Sequence, residues 1–430
     1  MHKQKRLRYD AMVKFYLSIF TFMLIIANSL TSCQTVLTPV NPYDNALYFK
    51  RHYGFTVIPF KLVNNLMIIS LSLNKSDTMN FILDTGVKTA LLIGLQTGDS
   101  LQLKYARKIK IKGLGEGDDV EAIHSFGNRI ELKGVYGLNQ DILILLKDVF
   151  FFSSKLGMRI HGIIGHDVFK NFVVEINYER REITLKEHRK FKPNKRDKLL
   201  KISIEEGKPY LEAIISMSDG TALKTKLIID TGASHALSLD ILSNDSIKLP
   251  LKVREAYLGR GLNGDIRGKI GRMSSINIGG YELNNLLTSF PDSSSMRHTV
   301  LISRRNGNVG AEILKRFHLT FDYLNQRMLI RPNNNFKKPF SYNMSGIELM
   351  TPVPGLPIFS ISDIDDDSPA ERAGLRKGDQ LLYLNNKIAF QYTLNDIISL
   401  FQSKAGKKIT LVVQRNQEVL KFEFLLEKPI

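Results

Sequence analysis

The feature that most constrains this chain is an internal repeat of about 146 residues. The segment Phe81–Gly86 recurs as Leu227–Gly232, and the two aspartates are separated by 230 − 84 = 146 positions. Downstream, Gly162–Phe172 corresponds to Gly307–Phe317, with 307 − 162 = 145. A register kept over a whole unit indicates a duplicated domain.

Each copy places a carboxylate at the end of an apolar strand. The three aliphatic residues Leu227–Ile229 are typical of a buried strand, in which Asp230 has no structural use. Gly232 leaves no side chain between that carboxylate and a group that approaches it. A single Asp-Thr-Gly is explained equally well as a turn that closes a strand. Two copies in a duplicated frame predict two carboxylates that meet.

Residues 55–335 resemble the retropepsin-like aspartic proteases. The resemblance rests on the two Asp-Thr-Gly segments and on the downstream elements Ile163-Ile164-Gly165 and Asn308-Val309-Gly310. It implies that Asp84 and Asp230 are the catalytic pair. The residues that would support them are Thr85, Gly86, Thr231 and Gly232.

Some positions depart from the family pattern. Ala233 follows the retropepsin form, whereas Val87 and Lys88 match neither the retropepsin nor the pepsin form, and Asn308 replaces an aliphatic residue. A Lys88 that pointed into the cleft would lower the pKa values of the pair. We expect Lys88 to face solvent, because an unpaired buried ammonium is costly.

The chemistry expected of such a pair needs neither a metal nor another cofactor. Two carboxylates about 3 Å apart share one proton, because both cannot ionise at that distance. The ionised member draws a proton from water while the protonated member donates to a peptide carbonyl.

A glycine-rich stretch follows each aspartate. Residues 259–264 fit the dinucleotide-binding pattern G-x-G-x-x-G, but no helix-forming stretch comes after them, so we reject that interpretation. The glycines suit a β-hairpin, and the family resemblance implies that such hairpins are flaps that fold over the substrate. The flap glycines would be Gly113, Gly115 and Gly117 in the first copy, and Gly259, Gly261 and Gly264 in the second.

Alternating hydrophobicity and glycine punctuation predict a mainly β fold. The predicted order is a first lobe at 55–190, a second lobe at 191–335 and an α+β domain at 341–430. The basic stretch Lys186–Lys201 is interpreted as a solvated connection between the lobes. Strands of the first lobe are predicted at Leu66–Leu73, Asn80–Leu83, Ile130–Leu132, Ile142–Leu146, Phe172–Ile176 and Ile183–Leu185.

Residues 341–430 resemble a PDZ domain of the bacterial exported type, most specifically over Asp367–Asn385. Ser368 is suited to cap a short helix that starts at Pro369, and Gly374 to end it. PDZ domains hold an extended peptide and its terminal carboxylate. The loop for this would be Gly355, Leu356, Pro357 and Ile358, although Pro357 has no N–H to donate.

Residues 1–32 resemble a bacterial lipoprotein signal. A basic start is followed by the apolar stretch Phe15–Ala27 and by Leu30-Thr31-Ser32-Cys33, which is similar to a lipobox. Cys33 is the only cysteine in the chain and would be lipidated. The alternative is a transmembrane anchor with an incidental cysteine, but the apolar run is short for a membrane span.

A tether over 33–54 would join this anchor to the lobes. The formal charge of +18 suits an anionic membrane surface as well as nucleic acid. Export argues against the nucleic-acid interpretation, so no nucleic-acid partner is expected. The prediction is therefore a membrane-anchored lipoprotein of a bacterial cell envelope.

Two functional hypotheses follow. The first is an aspartic endopeptidase that hydrolyses a peptide or protein substrate, with a PDZ domain that presents or senses it. The second is a non-catalytic lipoprotein that binds peptides with the same lobes and PDZ domain. The two half-sites differ in sequence, and a connection of about sixteen residues is ample for the lobes to face each other. A monomer with an intramolecular pair of aspartates is therefore predicted.

Overall fold

The computed structural model describes residues 44–51, 54–94, 101–111, 117–294, 304–340 and 342–428. The predicted signal, the lipidation site Cys33 and the flap residues Gly113 and Gly115 lie outside these ranges. Within them, no helix is both long and apolar enough to cross a bilayer.

The first lobe is built from twelve described strands and two short helices. Strand β5 is a nearly continuous apolar run because all its residues except Asn80 are buried, and in the sheet it lies between the antiparallel β4 and the parallel β10. The elements are β1 Leu47–Phe49, β2 Phe55–Pro59, β3 Lys61–Val63, β4 Leu66–Leu73, β5 Met79–Leu83, β6 Ala90–Ile93, β7 Ala106–Ile111, β8 Val120–Leu132, β9 Val135–Leu145, α1 Phe152–Leu156, β10 Gly162–Ile164, α2 His166–Phe169, β11 Val173–Asn177 and β12 Glu182–Lys186.

The second lobe repeats the topology of the first. Its central strands run in the order β15-β16-β21-β17-β20, which matches β4-β5-β10-β6-β9 in the first lobe, including the parallel pairs β16–β21 and β5–β10. The duplication read from the sequence is thus also a duplication of the fold. The elements are β13 Lys198–Lys201, β14 Ser203–Glu205, β15 Lys208–Ser216, β16 Ala222–Ile229, β17 Leu237–Leu239, β18 Val253–Gly261, β19 Gly264–Ile278, β20 Tyr281–Pro291, β21 Gly307–Val309, α3 Ala311–Leu314, β22 Phe317–Asp322 and β23 Arg327–Pro332.

A six-stranded sheet joins the two lobes. Its order is β13-β23-β22-β11-β12-β2, so each lobe contributes three strands and the lobes meet where β11 pairs with β22. Strand β13 lies within the stretch predicted to be a solvated connection, which is therefore partly ordered by pairing with β23. The first lobe also begins earlier than residue 55. Strand β1, which lies in the segment predicted to be a tether, pairs with β9 of that lobe.

The C-terminal domain is an α+β domain with its own hydrophobic core, formed by residues between 344 and 426. Its central strand spans the predicted Gln380–Leu384, and the Ser368 side chain accepts a hydrogen bond from Glu371 N at the start of a helix whose first residue is Pro369, as predicted. The elements are β24 Ile347–Met350, β25 Ser360–Ile364, α4 Pro369–Arg372, β26 Gln380–Leu384, β27 Lys387–Ile388, α5 Leu394–Phe401, β28 Lys408–Arg415 and β29 Glu418–Leu425. The prediction of a mainly β chain with a C-terminal α+β domain is confirmed.

The segment that leads into this domain is bound to the second lobe. Arg316 is 1% exposed, and its guanidinium donates to the carbonyl oxygens of Asn335, Phe336, Lys338 and Pro339 while lying 3.8 Å from the Phe340 ring centre. The second lobe therefore holds the chain as far as Phe340, five residues beyond the predicted boundary at 335.

Candidate active site

The two aspartates emerge from corresponding strand ends. Asp84 follows β5, and its backbone N–H donates to Ile164 O at 2.9 Å, while Asp230 follows β16 and donates to Val309 O at the same distance. In each lobe a parallel strand pair thus fixes the backbone of the aspartate. The sheet duplication brings both residues to the line where the lobes meet.

The threonines next to the aspartates bind the lobes to each other. Thr85 N donates to Thr231 Oγ1 at 3.0 Å, and Thr231 N donates to Thr85 Oγ1 at 3.0 Å. Each hydroxyl also donates into the opposite lobe, to Ile229 O at 2.5 Å and to Leu83 O at 2.9 Å. Both threonines are fully buried, so these bonds form without competition from water.

The glycines let the carboxyl groups approach closely. Gly86 N donates to Asp84 Oδ1 at 2.6 Å, and Gly232 N donates to Asp230 Oδ1 at 3.0 Å. A Cβ atom at position 232 would lie 2.2 Å from Asp84 Oδ2, so any other residue there would collide with the carboxylate of the opposite lobe. Gly232 is required because the two half-sites are in contact.

The pair shows the electrostatics of two acids in one site. Burial, followed by the neighbouring Asp230 carboxylate, raises the pKa of Asp84 well above its ordinary value, although the Gly86 N–H bond opposes this. Asp84 therefore retains its proton at pH values where an exposed aspartate is ionised. The arrangement can hold one proton between two carboxyl groups and offer one ionised group to water.

Asp230 has a side-chain partner that sequence reasoning did not identify. Asn308 Nδ2 lies 3.2 Å from Asp230 Oδ2, and Asn308 Oδ1 lies 3.3 Å from His235 Nε2. The sequence does show a polar residue at 308, where the resembling family has an aliphatic one. That difference alone does not indicate that Asn308 contacts Asp230. Burial lowers the pKa of His235, so its ring is neutral near pH 7.

Cations lie near the pair, but Lys88 is not among its contacts. The Lys88 side chain is 59% exposed and forms an ion pair with Glu206 at 2.8 Å, as expected of a solvent-facing residue. Lys208 and Arg305, which the sequence did not single out, interact electrostatically with Asp230. Burial lowers the pKa of both side chains, because removal from water disfavours their charged forms.

Two β-hairpins, one from each lobe, contact each other at Gly117 and Asn263. Hairpin 2, formed by β18 and β19, turns at Leu262-Asn263, and hairpin 1 is formed by β7 and β8. Gly117 N donates to Asn263 O at 2.5 Å, and the Asn263 amide donates to Gly117 O at 3.3 Å. Since 263 − 117 = 146, these two residues occupy equivalent positions of the repeat, as the two aspartates do. Gly259, Gly261 and Gly264 all lie in hairpin 2.

The predicted peptide loop of the C-terminal domain has no unbonded amide. Gly355 N donates to Gly157 O of the first lobe at 3.1 Å, Leu356 N donates to Val353 O, and Ile358 N donates to Leu356 O. Pro357 has no N–H. Thr351 N, just before the loop, donates to Ser154 O of helix α1 at 2.7 Å. The loop is thus docked on the first lobe, and its role in peptide binding stays a prediction.

Helix α1 lies between this loop and hairpin 2. Lys155 Nζ contacts the Tyr257 hydroxyl at 2.7 Å, and Arg260 Nε donates to Val149 O at 2.6 Å just before the helix. A second contact joins α5 to the first lobe, where the Asn395 amide donates to Leu62 O at 3.1 Å. The C-terminal domain and hairpin 2 therefore share one support in the first lobe.

In the described ranges, no three His, Cys, Asp or Glu side chains are grouped as they would be around a metal ion. The predicted catalytic and supporting residues 84–86 and 230–232 are brought together. The glycines of hairpin 2 and Gly117 lie on the hairpins, whereas residues 355–358 lie in the C-terminal domain.

Comparisons with known proteins identify part of the chain. A family model for the PDZ domain matches residues 360–415, so the C-terminal region contains a PDZ domain. None of the curated proteins matches the sequence. Among solved structures, the aspartic proteinase from Irpex lacteus is similar, with 11% identity, a TM-score of 0.44, and coverage of 66% of this chain and 99% of that one.

Proposed function

We propose that this chain is an aspartic endopeptidase in which Asp84 and Asp230 activate water for peptide hydrolysis. The observation that supports it most directly is the contact between two aspartates, one from each lobe, across the reciprocal bonds of Thr85 and Thr231. A turn that merely closed a strand would need neither a carboxylate nor its counterpart in the other lobe.

In the proposed reaction, ionised Asp230 takes a proton from a water molecule whose oxygen attacks the peptide carbonyl carbon. Asp84, which keeps its proton because its pKa is raised, donates that proton to the carbonyl oxygen. The resulting diol collapses when Asp230 gives its newly acquired proton to the amide nitrogen, the C–N bond breaks and one diol hydroxyl returns its proton to Asp84. Both steps use the same pair, and the proton count is restored at the end.

The hairpins supply the remaining requirement, which is to hold an extended substrate and exclude water. They contact each other at Gly117 and Asn263, so a substrate would enter after these contacts open. The PDZ domain would present or sense the substrate. The N-terminal signal and Cys33 would anchor the protein in a bacterial envelope, for which Cys33→Ser is the test, since it should release the protein from the membrane fraction.

The direct test is a peptide library incubated with the full-length chain between about pH 3 and pH 8. Asp84→Asn and Asp230→Asn should each abolish cleavage, because neither carboxyl group can act alone. Circular dichroism would establish that both variants fold. Activity above about a tenth of wild type in either variant would refute the pair. Binding of peptides without cleavage by the wild type would favour the non-catalytic hypothesis.

A further inference from the structure

The two half-sites differ at the positions behind their carboxylates. Asn308 corresponds to Ile163 in the first lobe, and His235 corresponds to Thr89, since 235 − 146 = 89. Asn308 pairs in the sheet with Ile228, as Ile163 pairs with Ile82, so the backbone framework is the same. Asp230 thus receives a side-chain donor from its own lobe, whereas the equivalent position behind Asp84 is the apolar Ile163.

Hydrogen-bond chemistry fixes the direction of this arrangement. A carboxylate only accepts, so the group of Asn308 that faces Asp230 Oδ2 is the amide nitrogen, which donates. The Asn308 oxygen then faces His235 Nε2, and a neutral histidine satisfies it only as the tautomer with the proton on Nε2. The chain of donors therefore runs from His235 through Asn308 to Asp230.

We propose that Asn308, oriented by His235, is a positioning residue that keeps Asp230 ionised and so holds the shared proton on Asp84. The proposal rests on the proposed function and deepens it, because it names the side chains that make Asp230 the base and Asp84 the acid. A donor to the ionised form favours that form. Asp84 has no such side-chain donor among the described residues, and its nearest side-chain partner is Asp230 itself.

Other charged groups also act on the pair and must stay constant in a test. Among the described residues they are Lys208 at the start of β15, Arg305 before β21, His235 after β16 and Tyr323 after β22. Arg305 favours ionised Asp230 as Asn308 does, whereas Lys208 acts on both aspartates. A substitution at 308 alone isolates the contribution of the asparagine.

The experiment compares the pH dependence of kcat/KM for Asn308→Ile, which installs the residue of the first lobe. Loss of the donor disfavours the ionised form of the pair, so the acidic limb should move up by about one pH unit. His235→Phe should give a smaller shift in the same direction, and His235→Gln, which keeps an N–H donor, should restore the wild-type limb. The control is Asn306→Ser, since Asn306 bonds to Lys226 N and Ser243 instead of the pair.

A second measurement does not depend on activity. Titration of ¹³C-carboxyl-labelled aspartates by NMR, assigned with Asp84→Asn and Asp230→Asn, reports both groups directly. If Asn308→Ile is active, and neither its acidic limb nor its carboxyl titration differs from the wild type, the proposal is overturned. The peptidase function would still stand. An inactive wild type whose Asp230 titration still moves in Asn308→Ile would support the hydrogen-bond assignment and refute hydrolysis. Equal shifts in Asn308→Ile and Asn306→Ser would overturn the assignment as a general loss of stability.

Discussion

At the residue scale, Thr85 and Thr231 both stabilise the contact between the lobes and fix the geometry of the site. Each hydroxyl accepts an N–H and donates to a carbonyl of the opposite lobe, with no exposure to solvent. Two buried backbone groups depend on each hydroxyl. The same four bonds hold the aspartates opposite each other.

Thr231→Val should therefore reduce both stability and activity. The change leaves Thr85 N and Leu83 O unpaired, which costs roughly 2–4 kcal/mol of unfolding free energy. The control is Thr225→Val on the same strand β16, because that buried hydroxyl bonds only within the second lobe, to Ala213 O at 3.0 Å. For Thr231→Val, both the free energy of unfolding measured with denaturant and kcat should fall. Thr225→Val should keep the kcat of the wild type. Equal kcat in the two variants would contradict a cross-lobe role.

Asp84→Asn should stabilise the protein near pH 7 while abolishing activity. The folded-state pKa of Asp84 is raised, so its favourable contribution is fully present below the ordinary aspartate pKa and is lost as pH rises through the raised value. A neutral asparagine avoids that loss. Thermal unfolding between about pH 3 and pH 8 should show a higher Tm for the variant at neutral pH and no gain at low pH. A lower Tm at pH 7 would contradict the pKa direction.

At the element scale, the boundary between the second lobe and the PDZ domain depends on Arg316. This buried cation is neutralised by Glu312 at 3.0 Å and solvated by carbonyl oxygens of residues 335–339. Truncation upstream of these residues would leave the guanidinium without most of its acceptors.

A chain that ends at Phe340 should therefore keep both lobes folded, whereas one that ends at Arg331 should unfold at a clearly lower temperature. Thermal unfolding of the two truncations measures this. Hydrolysis of a short unstructured peptide should survive the first truncation, because both aspartates and both hairpins precede Phe340. Indistinguishable Tm values would show that the contacts of Arg316 add no stability.

Local pattern was enough to predict many of the elements. Strand β4 matches its predicted span because a run of apolar residues and the turns that flank it are local properties, and the same holds for β26. The shared six-stranded sheet was not predictable, since β11 pairs with β22 across about 145 residues and no local signal specifies that partner. Asn308 illustrates the same limit at the site. Its identity is visible in the sequence, but its role depends on His235, 73 positions away.

At the scale of the whole molecule, the repeat generates one site from two lobes of the same chain. Positions 146 apart meet at Thr85 and Thr231 and again at Gly117 and Asn263. The pseudo-twofold relation thus holds both at the aspartate pair and at the hairpins. A second chain is not needed to complete the pair.

Mixing purified Asp84→Asn with purified Asp230→Asn should therefore restore no activity, because every cleft contains one inactive half. Activity per molecule of the wild type should also be independent of protein concentration. Both are measured with the same peptide assay. Substantial recovery on mixing would mean that lobes pair between chains.

The docked PDZ loop has a thermodynamic consequence for any peptide that uses it. Such a peptide binds only the fraction of molecules in which Gly355 has left Gly157 and Thr351 has left Ser154, so the apparent Kd equals the intrinsic Kd divided by that fraction. Linkage is reciprocal, so the same peptide lowers the population of molecules in which Thr351 is bonded to Ser154 of helix α1. Helix α1 also contacts hairpin 2, where Lys155 Nζ lies 2.7 Å from the Tyr257 hydroxyl, so a peptide that displaced α1 would act on a helix that supports the hairpin.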